Sequence, residues 1–186
     1  MPLVGTLSAL QEEKFHNADM PTIDATLRPG TITKWGEFVK SKPLCVNESE
    51  TRWRILGKYD LVATNIDGTI GLIDCKVSDS QRDSGAFYSP QLEAYSFALE
   101  NPAAGKGQVV ASQGLLIWKL ASAIGDDRGS YGFGVDQKYV AVERDTAHFL
   151  NVIEDFINVL EAELPDPGSE CTTCIYLGAR NALDNL

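Results

Sequence analysis

The sequence lacks any apolar run of about 18 residues, the minimum for a membrane-spanning helix. Its first residues, Met-Pro-Leu-Val-Gly, also lack the basic segment and apolar stretch that together mark a signal peptide. We therefore expect no membrane span, no membrane partner and a cytoplasmic location.

Positive charge is scarce as well. The chain has 16 lysines and arginines against 26 aspartates and glutamates, which gives a formal net charge of −10. Proteins that coat nucleic acid without specificity are usually basic, so this balance argues against that class. It leaves room for a local cationic groove, and it suits a carboxylate site that holds cations.

Cysteine occurs only four times, at Cys45, Cys75, Cys171 and Cys174. A cytoplasmic chain of this size has little need of disulfides. Only Cys171 and Cys174 have the CxxC spacing of metal ligands.

Apolar residues are plentiful, at 44% of 186 positions, which suits one globular domain with a substantial core. We expect a single domain over residues 1–186. Within it, residues 1–50 form a weakly defined helical region, with helices predicted over 6–18 and over 32–42. Residues 165–186 form a tail that contains the CxxC pair.

The middle of the chain predicts a hairpin. Residues 51–64 and 69–78 have the composition of strands, and Asp67-Gly68 between them is a strong tight-turn signal. The polar residues 79–88 predict a loop. A helix should follow, with Ser89 as its cap and Pro90 in its first position.

The second half continues the alternation. Strands are predicted over 113–120 and 138–143, with a glycine-rich loop over 125–134 between them. Asp145 then caps a long amphipathic helix. Helices and strands in this order indicate a mixed α/β fold.

The stretch "GLIDCKVS", residues 71–78, places two charges in a strand that is otherwise apolar. Side chains alternate along a strand, so Asp74 and Lys76 share one face and Cys75 points to the other. The hairpin brings Asp60 near Asp74. Two adjacent carboxylates repel each other unless a cation lies between them, and such oxygen ligands suit Mg²⁺ or Mn²⁺.

A lysine beside a bound cation can orient or deprotonate water, or stabilise charge that grows on a phosphate. These groups are the parts needed for metal-assisted hydrolysis of a phosphodiester. For an isolated D-x-K on a strand, a structural ion pair is the favoured interpretation, so the neighbouring motifs decide.

The segment "GKYDLVATNIDGTIGLIDCKVS", followed by "YSPQLEAYSFAL", resembles the PD-(D/E)XK nuclease superfamily in its RecB-like (Cas4-like) branch. The matching residues, in the order G-x-x-D, acid-x-lysine and Q-x-x-x-Y, are Gly57, Asp60, Asp74, Lys76, Gln91 and Tyr95. The resemblance covers roughly residues 52–100 and the tail "CTTCIYLGAR". It implies a restriction-endonuclease-like core, in which helices flank a mixed central β-sheet.

The resemblance also implies roles for these residues. Asp60, Asp74 and the backbone carbonyl of Cys75 would bind the divalent cation, and Lys76 would be the catalytic lysine. Gln91 and Tyr95 lie one turn apart on a helix and would line the active site. The alternatives are a solvated first-turn residue for Gln91 and a core aromatic for Tyr95.

Family members usually add an acid from the first helix, for which Glu12, Glu13 and Glu37 are all candidates. His16 is expected at the surface, and His148 is expected to be structural. Iron–sulfur members use four cysteines, one upstream and three in the tail. Here Cys45, Cys171 and Cys174 are candidate Fe–S or Zn ligands. Because Arg180 stands near the third tail position, an intact cluster is not favoured.

Any nucleic-acid contact should come from a local cluster near the site, namely Lys58, Arg82 and Tyr88. Phe87 and Tyr88 are expected either to stack on an unpaired base or to pack as core.

The resemblance implies a Mg²⁺- or Mn²⁺-dependent deoxyribonuclease, exonuclease-like, that acts on single-stranded DNA or duplex ends in repair, recombination, phage or defence processing. One alternative is a DNA-binding subunit of a larger complex with the same fold and weak or no catalysis. Another is a structural protein whose D-x-K motif is only an ion pair.

Overall fold

The computed structural model describes residues 2–78, 85–125, 129, 131–163, 168 and 170–184. The helices are α1 (Pro2–Lys14), α2 (Met20–Ile23), α3 (Gly85–Glu100), α4 (Thr146–Glu161) and α5 (Thr172–Asp184). The strands are β1 (Gly30–Trp35), β2 (Phe38–Lys40), β3 (Cys45–Val46), β4 (Ser49–Glu50), β5 (Leu56–Lys58), β6 (Leu61–Asn65), β7 (Ile70–Val77), β8 (Val110–Gly125) and β9 (Tyr131–Val142).

A five-stranded sheet in the order β1-β6-β7-β8-β9 forms the centre of the fold. The pair β7–β8 is parallel, and the other neighbours are antiparallel. Parallel neighbours need a long crossover connection, which here contains α3. Two short ladders, β2–β5 and β3–β4, stand apart from this sheet. The predicted fold class, a mixed sheet flanked by helices, is therefore confirmed.

Alternation along the strands supplies an apolar core on each face of the sheet. The core on the α3 side includes Val62, Leu72, Leu92, Leu115 and Ile117. The core on the other side contains Phe15, which follows α1, and Met20 of α2, together with Leu61, Ile73, Cys75 and Leu116. Both faces of β7 are therefore covered, and Ile70–Cys75 is a continuous buried run, as expected for a strand of this kind.

The chain forms two compact units, Met1–Glu154 and Asp155–Leu186. The central sheet and both cores described above belong to the first unit, and α5 belongs to the second. The single nuclease-like domain over residues 1–186 stays a prediction. Within the described residues, no helix is both long enough and apolar enough to cross a membrane.

The helix predicted over residues 32–42 is wrong, because this segment forms parts of β1 and β2. Thr31, Ile32 and Thr33 are β-branched and favour extended backbone. Gly36, with φ of 59°, then breaks the run in a conformation that suits glycine. Most of the predicted helical region over 1–50 is likewise strand or turn after α2.

The start predicted for the central helix is also wrong. Helix α3 already includes Gly85, so Phe87 and Tyr88 are helical, and Pro90 lies inside the helix instead of opening it. Pro90 has no N–H to donate to the carbonyl of Ala86, so one helical hydrogen bond is missing there. The rest of the predicted loop, residues 79–84, lies outside the described residues.

Strands β8 and β9 are longer than predicted. Their antiparallel pairing continues outward to Gly125 and Tyr131, inside the segment predicted as a glycine-rich loop. Gly132 and Gly134 are accommodated because β9 is an edge strand, where weak strand formers are tolerated.

Two local predictions are confirmed. Gly68 has φ of 80° in the turn between β6 and β7, where Asp67 Oδ1 accepts a hydrogen bond from the Thr69 N–H at 3.0 Å. Asp145 Oδ1 accepts a hydrogen bond from the His148 N–H at 3.0 Å and so caps α4.

Candidate active site

Pairing between β6 and β7 brings Asp60 and Asp74 together. Leu61 is opposite Ile73 in the register, so Asp60 and Asp74 occupy the next position outward. Asp74 alternates with Leu72 and therefore projects to the α3 side of the sheet, whereas Cys75 is buried in the other core. The hairpin thus holds two carboxylates side by side at one end of the buried strands.

Direct contacts connect Asp74 to Lys76 and Gln91, and Asp60 to the backbone of β7. Asp60 Oδ2 accepts a hydrogen bond from the Cys75 N–H at 2.6 Å. Asp74 lies 2.5 Å from Lys76 Nζ through Oδ2, and its Oδ1 accepts from Gln91 Nε2 at 3.2 Å. Gln91 Nε2 also donates to the Tyr95 hydroxyl at 2.9 Å. The structure therefore brings together Asp60, Asp74, Lys76, Gln91 and Tyr95.

Burial makes the acid pair resist double ionisation. Burial and then the charge of Asp74 raise the pKa of Asp60 to about 7, against the opposing effect of the Cys75 N–H. Burial also raises the pKa of Asp74, and the contact with Lys76 only partly offsets this. Near neutral pH the pair therefore tends to hold a proton, and a cation that replaced it would relieve the same repulsion.

Lys76 keeps its charge. Burial lowers its pKa, but the bond to Asp74 and the charges of Asp74 and Asp60 outweigh that effect, so its pKa lies above the usual value. Its ammonium nitrogen also lies 4.6 Å from the centre of the Tyr88 ring, which favours the cation further. In this arrangement Lys76 is suited to stabilise negative charge, not to accept a proton.

Tyr88 and Phe87 differ in exposure. Tyr88 is half-buried over Lys76, whereas Phe87 is 80% exposed and meets the Tyr88 ring edge-on at 5.0 Å. The alternative that both rings pack as core is therefore wrong for Phe87.

Gly57 makes room for Tyr95 because it has no side chain. A Cβ atom on this residue would overlap the ring of Tyr95. The absence of a side chain on β5 therefore lets Tyr95 approach and place its hydroxyl next to Gln91. The close approach of Tyr95 therefore explains why the G-x-x-D pattern begins with glycine.

Among the three candidate acids, Glu12 lies toward the pair. It is half-buried on α1, and its charge raises the pKa of both Asp60 and Cys75. Glu13 is exposed. Glu37 accepts a hydrogen bond from the Tyr59 hydroxyl at 2.7 Å.

The donor set fits a small divalent cation with few protein ligands. Within the described residues, no group of three or more His, Cys, Asp or Glu side chains is arranged to hold a metal ion. Asp60 and Asp74 nevertheless supply two oxygen donors in a setting that penalises their shared negative charge. Mg²⁺ in proteins commonly keeps several waters and binds only one or two carboxylates, so Asp60 and Asp74 are enough protein ligands for it.

The other predicted site residues come from several elements of the chain. Lys58 is exposed at the end of β5, and Arg82 lies outside the described residues. Cys45 is exposed on β3 in the first unit. In the second unit, the Cys171 and Cys174 sulfurs are 2.8 Å apart, and the Cys174 N–H donates to Cys171 Sγ at 3.3 Å. Their role as cluster or zinc ligands stays a prediction.

The two histidines lie outside the carboxylate cluster. His16 stacks on Trp35 with ring centroids 4.0 Å apart. His148 is exposed in the first turn of α4.

Sequence reasoning missed a buried polar network around Glu93. Glu93 is 1% exposed on α3 and accepts hydrogen bonds from Arg144 Nε at 3.0 and 3.1 Å and from Gln113 Nε2 at 2.9 Å. Arg144 also forms an ion pair with Glu100 at 3.1 Å. The spacing of Glu93, Ser96 and Glu100 along one face of α3 was the available signal.

Comparison with known proteins identifies the chain's relatives. The family model of the PD-(D/E)XK nuclease superfamily matches residues 8–179. A crystal structure of the protein SSO0001 aligns with a TM-score of 0.40 and 18% identity, covering 77% of this chain. The chain spans 57% of the length of that protein. The search of curated proteins gave no match.

Proposed function

The chain belongs to the PD-(D/E)XK nuclease superfamily, and from this membership we propose that it is a divalent-metal-dependent deoxyribonuclease. Superfamily members are generally nucleases that use divalent metals. We assign the activity to the cluster around Asp60, Asp74 and Lys76. We also place the chain in the RecB-like branch and in the cytoplasm, with a role in repair, recombination, phage or defence processing of DNA.

The observation that carries this proposal is the electrostatic state of the acid pair. Asp60 and Asp74 are held side by side under burial, with a charged lysine 2.5 Å from one of them. A purely structural ion pair with Lys76 would need only one carboxylate. The second carboxylate makes it less favourable for both acids to be ionised at once. The arrangement favours a cation between the acids.

Each side chain then has a distinct role. Asp60 and Asp74, with the Cys75 backbone carbonyl, are the proposed ligands of Mg²⁺ or Mn²⁺, and Glu12 is the proposed additional acid. A cation bound there would supply Lewis-acid chemistry toward a phosphate and a nucleophilic water. Lys76 stabilises the negative charge that develops on the phosphate. Gln91 orients Asp74, and Tyr95 in turn orients Gln91.

The RecB-like assignment is supported by the motif residues acting as one unit. Gly57 admits Tyr95, Tyr95 contacts Gln91, and Gln91 contacts Asp74. The first and third motifs therefore converge on the acid of the second.

A second candidate function is a nuclease-fold DNA-binding subunit with little catalysis, held on DNA by a partner protein. The formal net charge of −10 favours it, because a chain of this charge gains little from non-specific attraction to phosphates.

Cleavage assays separate these functions. We expect purified protein with Mn²⁺ to shorten labelled linear single-stranded or duplex DNA, and EDTA to stop the reaction. A matched circular single strand tests the exonuclease assignment, because an exonuclease leaves it intact. DNA binding without cleavage under any divalent metal would favour the second function.

A further inference from the structure

The β2–β5 ladder carries an exposed face on which aromatic, aliphatic and cationic side chains alternate. Phe38 is opposite Lys58 in the register, and Lys40 is opposite Leu56. Phe38 is 76% exposed and Leu56 is 68% exposed. Both lysines are exposed as well, so the face consists of these four side chains.

The other face of the same ladder is turned toward the protein. Val39 is buried in the α3-side core, and Gly57 lies against the ring of Tyr95. The ladder is therefore fixed from behind, and its outer face has no covering element among the described residues. Exposed apolar residues grouped with charges on a fixed support mark an interaction surface.

The charge of this region is opposite to that of the chain. Residues 34–58 contain six lysines and arginines against three glutamates, whereas the whole chain has a net charge of −10. In the described part of the chain, Lys40 and Lys58 form no ion pair. Two exposed lysines that form no ion pair in the described part of this acidic protein favour an anionic ligand.

This face also borders the catalytic cluster. A Cβ atom placed on Gly36 would lie 3.5 Å from Lys58 Nζ and 3.6 Å from Glu12 Oε2, so both side chains approach Gly36. The charge of Glu12 in turn acts on Asp60. A ligand lying on the ladder would therefore lead toward the acid pair.

From these observations, we propose that the outer face of the β2–β5 ladder binds single-stranded DNA and guides it to the acid pair. The inference rests on the proposed nuclease function and adds a substrate class and a path. Lys40 and Lys58 contact phosphates, and Phe38 stacks on an unpaired base. A single strand is favoured over a duplex because stacking on an exposed ring needs a base face that pairing and stacking do not cover.

The test measures binding of a labelled oligothymidine to the full-length protein by fluorescence anisotropy in EDTA, where cleavage is blocked. Phe38→Ala should weaken binding about 5- to 150-fold, and Phe38→Trp should keep it. The double variant Lys40→Ala/Lys58→Ala should weaken binding and reduce the slope of log affinity against log salt by about 1.4. Melting temperatures of all variants show whether the fold is kept.

Two control variants remove an exposed aromatic ring or an exposed cation outside the β2–β5 ladder. Phe133→Ala removes another exposed phenylalanine, on β9, and Arg28→Ala removes another exposed cation, beside the Asp67 turn. Both should bind like the wild type. Equal binding by the wild type and the ladder variants would overturn the proposed path, as would an effect of the controls as large as that of the ladder variants.

The outcomes for path and function are separable. If Mn²⁺-dependent cleavage persists while the ladder variants bind and cleave normally, only the path is wrong. If the wild type neither binds nor cleaves DNA, both the path and the proposed nuclease function fail.

Discussion

Asp74 is the most enclosed acid of the cluster, at 2% exposure, and its two oxygens contact Lys76 and Gln91. Its position makes it the ligand whose loss should matter most. We predict that Asp74→Asn weakens Mn²⁺ binding by more than about tenfold, because it removes the charge of one of two carboxylates. Isothermal titration calorimetry measures this directly.

Asp136→Asn on β9 is the matched control, since it removes an exposed carboxylate outside the cluster. It should leave Mn²⁺ affinity unchanged. Equal affinities for the wild type and Asp74→Asn would remove Asp74 from the metal site.

The raised pKa of Asp60 predicts how the stability of the protein depends on pH. Its pKa in the folded protein is about 7, raised from an ordinary value of 3.8, so the folded state holds a proton that the unfolded state releases. Between about pH 4 and pH 7 the metal-free protein should therefore lose stability as pH rises. Asp60→Asn cannot ionise at this position, so it should escape the part of the loss that Asp60 causes, while the raised pKa of Asp74 still contributes.

Thermal midpoints in EDTA at pH 5 and pH 8 test this sign. The stability of Asp60→Asn relative to the wild type should rise between the two values, and added Mn²⁺ should remove part of the difference by binding the wild type. A relative stability that stays constant or falls would contradict the raised pKa.

The contact between β5 and α3 depends on the absence of a side chain at Gly57. Gly57→Ala should displace Tyr95, and through it Gln91, and so lower DNA cleavage while leaving the central sheet folded. In a Tyr95→Leu background the same substitution should cost less, because the ring that it displaces is already gone. Equal losses of cleavage in both backgrounds would show that Gly57 acts by another route.

The network that joins α3 to the start of α4 should be a large source of stability. Arg144→Met leaves the buried carboxylate of Glu93 without its main counter-charge, which should cost about 3–5 kcal/mol of unfolding free energy. Chemical denaturation gives the value.

An exposed ion pair provides the comparison. Arg28 and Asp67 lie 3.5 Å apart with side chains 60% and 53% exposed, so Arg28→Met should cost no more than about 1 kcal/mol. Similar losses for Arg144→Met and Arg28→Met would mean that the buried network contributes little beyond a surface pair.

Elements whose signals are local could be predicted, and those set by tertiary pairing could not. Asp67-Gly68 and the Asp145 cap depend on a few adjacent residues, and both were predicted correctly. Residues 32–42 contain a helix-like spacing of Trp35, Phe38 and Val39, but pairing of β1 with β6 and of β2 with β5 overrides it.

In the candidate site, too, the residues set by local signals could be predicted and those set by tertiary packing could not. Alternation and the hairpin place Asp74, Lys76 and Asp60 without knowledge of the rest of the fold. The choice of Glu12 over Glu13 depends on how α1 packs on the sheet, and Phe87 and Tyr88 depend on where α3 begins. Neither follows from spacing along the chain.

The chain as a whole is acidic, yet its cations are not spread evenly. The positive segment 34–58 lies beside the proposed metal site, and acids dominate elsewhere. Such a distribution favours DNA contact at one surface and disfavours it over the remainder.

The most direct test of the central claim is the rate of Mn²⁺-dependent cleavage of labelled single-stranded DNA by the wild type, Lys76→Ala and the exposed-lysine control Lys106→Ala. We predict that Lys76→Ala lowers the cleavage rate about 10²–10³-fold with the fold intact, because it removes a group that stabilises developing charge, and that Lys106→Ala cleaves normally. Cleavage by Lys76→Ala at the wild-type rate would contradict the account.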